Sequence, residues 1–186
     1  MLLASSKEGA VSPDGLKFTY LRPHCLLIAH GSKDSIREML NLGSSQDEIE
    51  HLAAIAGPRA FNLSETDWLL VEHSLQDTRR RFLAGEGRRS QVQLVDVTGS
   101  WASVLIEGHR ARAALAATTN APQLLKGVQP QQYIGVRLEA IEVIVQCVHA
   151  QGFQLYAERK SVSYLQKWIC AADQGRAMTP PNMRMN

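Results

Sequence analysis

The sequence predicts an α+β protein built as two related lobes, each an antiparallel sheet with helices packed against it. Three observations carry that prediction. Residues 91–169 run strand, strand, helix, strand, strand, strand, helix, with a turn at almost every junction. Several of these segments alternate apolar and polar residues with the period of two of a half-buried strand, while others show helical spacing. The first half ends as the second does, in a strand–turn–strand followed by an amphipathic helix, although few residues match between the halves.

Residues 1–20 are expected to form a flexible segment, because the short apolar run Met1–Ala4 gives way to polar Ser5–Gly9. The first lobe is assigned to residues 21–90. Within it His24–His30 makes a short apolar strand, and Ile36, Met39 and Leu40 mark one helix. Ile49, Leu52, Ala53 and Ala56 mark a second, stopped by Gly57-Pro58. Arg59–Leu63 and Trp68–Val71, joined by the polar turn Ser64-Glu65-Thr66-Asp67, form a hairpin. A helix then starts at Ser74, where Asp77 three residues on resembles a capping box, and Leu75, Phe82 and Leu83 supply its apolar side. The junction falls at Arg88–Gln91.

The second lobe is assigned to residues 91–173. Val92, Leu94 and the Asp96–Gly99 turn lead into Trp101–Glu107, where Ala102, Val104 and Ile106 alternate with Ser103 and Glu107. Gly108 breaks that strand. Ala111, Ala114, Leu115 and Thr118 recur at helical spacing, with Arg110 and Arg112 on the wet side. After Asn120-Ala-Pro122 and a Lys126–Pro130 loop come the strands Tyr133–Leu138 and Ile141–Val148, the latter with Ile141, Val143, Val145 and Cys147 on one face. The turn at Gln151-Gly152 hands over to Phe153–Ala157. Ser161 is the expected N-cap of the closing helix, whose inward stripe is Tyr164, Leu165, Trp168 and Ile169. Burial of Trp168 and Leu165 should each stabilise the fold by about 2–3 kcal/mol. Residues 174–186, with Pro180-Pro181, read as a flexible tail.

Composition narrows the functional classes. A formal charge of +2 on 186 residues does not imply a nucleic-acid or membrane partner. Cys25, Cys147 and Cys170 are widely spaced and contain no Cys-x-x-Cys, which points to free thiols in a reducing compartment. No signal-peptide core is present, and no run approaches the roughly 18 apolar residues of a membrane span, so the expected location is cytoplasmic.

Chemical motifs are sparse. Glu139 and Glu142 are candidates for an acid–base pair, but strand carboxylates on a solvent face explain them more simply. Asp96, before Thr98-Gly99, is a candidate general base, but bonding of backbone amides in its own turn explains it more simply. The six histidines His24, His30, His51, His73, His109 and His149 include no His-x-x-x-His. Gly85-Glu-Gly87 closes a helix and opens none, so no phosphate-binding loop is supported. No nucleophile elbow occurs. Arg79, Arg80, Arg81, Arg88 and Arg89 form the one dense basic patch. Consecutive residues on a helix do not share a stripe, and no aromatic side chains interleave with them to stack bases. A solvated helix end, where positive charge also suits the macrodipole, explains the patch more simply than nucleic acid. An acidic partner protein is a third reading, and these five arginines are the candidate partner-interface residues, with no catalytic, cofactor-binding or metal-binding residue assigned.

Certain segments resemble a known family. Ala60-Phe-Asn-Leu-Ser-Glu-Thr-Asp-Trp-Leu-Leu-Val71 resembles the Leu-Gly-Pro-Asp-Glu-Trp-Leu-Leu segment of the gamma subunit of heterotetrameric sarcosine oxidase. Asp96-Val-Thr, the following strand, Gly108 and Ala111-Arg112-x-x-Leu115 are similar to that family's Asp-x-Ser…Gly-Pro-x-Ala-Arg-x-x-Leu, with His109 where proline is usual. Phe153-Gln-Leu-Tyr-Ala-Glu-Arg159-Lys-Ser161…Tyr164-Leu165…Trp168 resembles its Phe-x-Leu-Tyr-Val-x-Arg-Ser…Leu-x-x-Trp ending. The order and spacing over residues 59–170 carry the resemblance; the stretch before residue 59 does not match.

The gamma family is in turn similar to the aminomethyltransferase (T-protein/YgfZ)-like folate-binding domain. Thr118-Thr119-Asn120, Lys126-Gly127 and Tyr133-x-Gly135-x-x-Leu138 resemble its wider pattern. Two of its chemical motifs are missing: Leu138-Glu-Ala runs straight into Ile141 where aminomethyltransferases carry a Gly-Gly-x-x-Asp-Asp loop, and Val128 follows Lys126-Gly127 where the YgfZ type has a cysteine. The resemblance thus implies an aminomethyltransferase-like fold without chemistry of its own. It implies a non-catalytic gamma-type subunit of an oxidase that demethylates sarcosine or a related N-methyl amino acid, with alpha, beta and delta partner subunits. FAD, FMN, NAD, tetrahydrofolate and zinc are expected in those partners and none in this chain. The alternative is a stand-alone folate-binding or one-carbon-transfer protein on the same fold.

Overall fold

The computed structural model describes residues 7–11, 15–21, 25–39, 59–72 and 92–175. In chain order they form β1 (Lys7–Val11), β2 (Lys17–Leu21), β3 (Cys25–His30), α1 (Lys33–Met39), β4 (Arg59–Asn62), β5 (Asp67–Glu72), β6 (Gln93–Asp96) and β7 (Trp101–Glu107). There follow α2 (Ala111–Ala117), α3 (Pro122–Gly127), β8 (Tyr133–Leu138), β9 (Ile141–His149), β10 (Gly152–Glu158) and α4 (Arg159–Asp173). The helices expected around residues 49–56 and from residue 74 lie outside the described residues.

Two antiparallel sheets result, one ordered β1-β2-β7-β10-β9-β8 and the other β4-β5-β3-β6. The period of two sorts their side chains into layers. On the large sheet, Val104, Ile106, Val143, Val145, Phe153 and Leu155 point one way and pack with Leu115, Leu125, Leu165 and Ile169 of the helices. On the opposite face Ile144 and Tyr156 meet Leu26, Phe61 and Leu69 of the small sheet. The small sheet's far side buries Leu27, Ala29, Trp68 and Leu70 with Ile36 of α1. The order of layers is helices, large sheet, small sheet, helix. Strand β9 is buried on both faces, which accounts for its nearly unbroken apolar run Val143-Ile-Val145.

The N-terminal residues differ from the expectation of a flexible segment over 1–20. Residues 7–11 and 17–21 are paired strands, and β2 lies directly against β7. Leu16 and Phe18 are fully buried in the helix-side core, which is the physical reason this stretch is held. Gly108 makes the arrangement possible. Its φ of 144° disfavours any side chain, and a Cβ there would sit 2.9 Å from the Gly15 carbonyl oxygen.

The lobe boundaries near residues 20 and 90 are likewise not boundaries of the sheets. Strand β6 pairs with β3 of the small sheet, and β1–β2 join the large one. Each sheet therefore draws strands from both halves of the chain. Two local expectations also change. Residues 122–127 form a helix that runs into the expected Lys126–Pro130 loop; Pro122 in its first turn suits that position, because the missing amide has no intrahelical partner there. Ser161 is not a cap but a buried residue inside α4, which begins two residues earlier, where the Arg159 amide donates to the Ser100 carbonyl at 2.8 Å. The inward stripe of α4 is Val162, Leu165 and Ile169, whereas Tyr164 and Trp168 stack on each other at its half-exposed margin. Trp168 contributes correspondingly less than full burial would. Among the described residues, no helix is long and apolar enough to cross a membrane.

Candidate functional site

Among the described residues, those singled out for chemistry do not converge; His24, His51 and His73 lie outside them. Arg79, Arg80, Arg81, Arg88 and Arg89 lie outside the described residues. Asp96 accepts the Thr98 amide at 3.0 Å, the turn role expected of it. Strands β8 and β9 close in a two-residue turn, Glu139-Ala140, with Leu138 opposite Ile141. Glu139 sits at φ 54° within that turn, and Glu142 is exposed on β9. His30 pairs with Asp67 at 2.8 Å and His149 with Glu107 at 3.4 Å, both at the surface. Among the described residues no three His, Cys, Asp or Glu side chains are placed to hold a metal ion.

Three arginines do have defined work. Arg112 is not on a wet face: its guanidinium donates to the carbonyls of Leu125 at 2.7 Å and Val128 at 2.8 Å, and lies over the Phe153 ring, 4.9 Å from its centroid. It thereby satisfies carbonyls left over at the end of α3 and ties α2 to α3. Arg159 donates to Gly99 at 2.8 Å, Thr98 at 3.1 Å and Trp101 at 2.9 Å, fastening the β6–β7 turn to the start of α4. Arg110 contacts the carboxylate of Asp173 at 3.0 Å and also donates to its backbone carbonyl. Asp173 is 1% exposed, so this pair fixes the end of α4. Thr118 caps α2 by donating to the Leu115 carbonyl at 2.7 Å, and Thr119 donates to the Arg137 carbonyl at 2.9 Å. All these roles are positional. Sequence reasoning missed them because each arginine serves carbonyls distant along the chain.

Among the described residues an open cleft of about 700 Å³ lies between the β8–β9 hairpin, the end of β4 and the start of α4. Ile144, Gly135, Leu63 and Trp101 contribute its apolar wall. Its charged groups come in opposite pairs: Lys160 lies 2.8 Å from Glu158, and Arg137 is the cross-strand neighbour of Glu142. Such a surface is close to neutral, unlike a phosphate or nucleotide site. It suits a polypeptide or another largely uncharged ligand.

Four ionisable groups in the helix-side layer share one direction of shift. Burial pushes the thiols of Cys147 and Cys170 and the phenols of Tyr20 and Tyr164 upward; Arg112 partly opposes this at Cys147, while Asp173 adds to it at Cys170. Each group holds its proton longer when folded, so the unfolded chain ionises first. Stability is full below the ordinary values of 9.0 and 10.0 and falls as pH climbs past them. Urea titrations from pH 7 to 11 should show the midpoint dropping from about pH 9 upward; a midpoint flat to pH 11 would contradict this.

No protein-family model and no curated protein matches the sequence. Among solved structures, a chain of heterotetrameric sarcosine oxidase from Corynebacterium sp. U-96 superposes at a TM-score of 0.66 with 15% identity, covering 94% of this chain and 91% of that one. The two chains thus have nearly equal lengths and share a fold. An aspartate kinase from Clostridium acetobutylicum aligns at a TM-score of 0.41 and 10% identity, over 85% of this chain and 34% of that one, too low to infer a shared fold.

Proposed function

We propose that the chain is a non-catalytic gamma-type subunit of a heteromeric, flavin-dependent oxidase that demethylates sarcosine or a related N-methyl amino acid. The observation that carries the reading is the superposition, end to end and at matching length, on one chain of a heterotetrameric sarcosine oxidase. The motif resemblance over residues 59–170 points the same way. The tight Glu139-Ala140 turn supports a scaffold role, since by the motif resemblance an aminomethyltransferase would carry a carboxylate-bearing loop between these strands.

On this reading the fold is of the aminomethyltransferase-like class, and the chemistry resides in alpha, beta and delta partners. FAD and FMN there oxidise the amine, tetrahydrofolate accepts the one-carbon unit, and NAD and zinc are held apart from this chain. Its own work is to form permanent interfaces, which for an obligate subunit bury on the order of 2,000 Å² or more.

Co-expression with candidate alpha, beta and delta subunits should give one stable particle, and the chain expressed alone should self-associate and carry no stoichiometric flavin. Size-exclusion chromatography with light scattering and an absorbance spectrum decide the matter. A monodisperse monomer that ignores those partners would overturn the proposal, as would a yellow isolated chain.

A further inference from the structure

Gly135 has no explanation among the described residues. Its φ lies outside the left-handed region, so its conformation does not call for glycine. A Cβ built there would find nothing within 4 Å, so packing does not call for it either. A glycine inside a strand weakens it and marks places where another backbone or ligand comes close.

Its setting indicates what comes close. Among the described residues strand β8 is an edge of the large sheet, with an isolated bridge on its outer side from Thr119 to Leu138. The Gln132 carbonyl accepts the Cys147 amide at 2.9 Å on the β9 side, and the Glu139 amide donates outward to the Thr118 carbonyl at 2.9 Å. By the alternation of an antiparallel strand, Gly135 and Arg137 turn their main-chain groups away from β9. Thr119 takes the Arg137 carbonyl. The Gly135 amide and carbonyl and the Arg137 amide have no partner among the described residues, and both residues are exposed. In the cleft beside them stands Leu63, which at 39% exposure is one of three exposed large apolar side chains among the described residues.

We infer that the β8 edge receives an extended segment of a partner polypeptide, which adds as a further strand and seats a large apolar side chain over Gly135, against Leu63 and Ile144. The unpartnered main-chain groups call for another strand, since only a backbone presents donors and acceptors at that repeat. The gap left by glycine takes the anchoring side chain, as aromatic residues cover strand glycines elsewhere. The balanced pairs Lys160–Glu158 and Arg137–Glu142 disfavour a highly charged occupant. A second copy fits poorly: two β8 edges joined about a two-fold axis at Gly135 would set glycine against glycine and leave the gap empty.

The proposal rests on the subunit reading for the existence of a partner, and two assays separate them. Selection of a naive displayed-peptide library on the full chain should enrich peptides with a large apolar residue flanked by β-forming ones. Their affinity should fall at least tenfold with Gly135→Leu, which fills the gap but keeps the strand's hydrogen bonds, and with Leu63→Asp. Circular dichroism melts check that both variants fold. No enrichment, or enriched peptides indifferent to both substitutions, overturns the inference. So does a homodimer in which hydrogen exchange protects Gly135 and Arg137. In the second assay wild-type chain and both variants are co-expressed with the alpha and beta subunits. Wild type assembling while the variants do not supports both readings, and variants assembling as wild type does overturns this one. If wild type fails to assemble yet still selects such peptides, the subunit reading falls and the surface stands.

Discussion

Replacing Tyr156 with alanine is expected to destabilise the protein by about 3–5 kcal/mol, the range for deleting a buried aromatic ring. Tyr156 is 0% exposed and sits between the two sheets, its ring 5.0 Å from that of Phe61. Phe61 in turn meets Tyr133 edge-on at 4.8 Å. The three rings join β4 of the small sheet to β8 and β10 of the large one, so the cavity opens where neither sheet can shift to fill it. Urea denaturation should show the midpoint falling with little change in slope. A double-mutant cycle with Phe61→Leu should return a coupling of about 0.5–1.5 kcal/mol. A loss below 1 kcal/mol for Tyr156→Ala, by the same urea measurement, would mean that the sheets are not held together there.

Arg112→Ala should cost about 3 kcal/mol. The reason differs: what is lost is the donor for carbonyls that the chain has already withdrawn from water. Leu125 and Val128 are buried at 0% and 3% exposure, and hydrogen bonds from charged donors to such groups contribute about 1.5–3 kcal/mol each without adding fully. The contact with Phe153 adds to this. Arg112→Lys should recover less than half the loss, because one ammonium cannot fan out to several carbonyls while lying flat on a ring. Equal stability of the lysine and arginine forms would show that charge alone suffices.

The sequence revealed elements whose signals are local. Strand β7 was legible in Ala102, Val104 and Ile106, and the β4–β5 hairpin in its Ser64–Asp67 turn, where Ser64 donates to the Asp67 carboxylate at 2.7 Å. Strands β8 to β10 and the helix after them followed in the same way. Partners far along the chain were not legible. Lys17-Phe-Thr-Tyr-Leu21 has good strand composition, but its partner lies near residue 105, and nothing local announces that pairing. Arg112 looked like a solvent-facing residue because the carbonyls it serves belong to a different helix. For the cleft, Gly135 and Leu63 were visible as residues, yet only the three-dimensional arrangement brings them to one wall. The tight passage from Leu138 to Ile141 was read from the sequence directly, since two residues leave no length for a loop.

The pairing of β2 with β7 also has a consequence for biosynthesis. Lys17 meets Glu107, so the first of these strands leaves the ribosome long before its mate exists. At about 5–20 residues per second it waits for seconds with Leu16 and Phe18 bare to chaperones and proteases. Closure of so long a span is entropically slow, so the yield of native chain in the cell should respond to chaperone supply more than its finished stability would suggest.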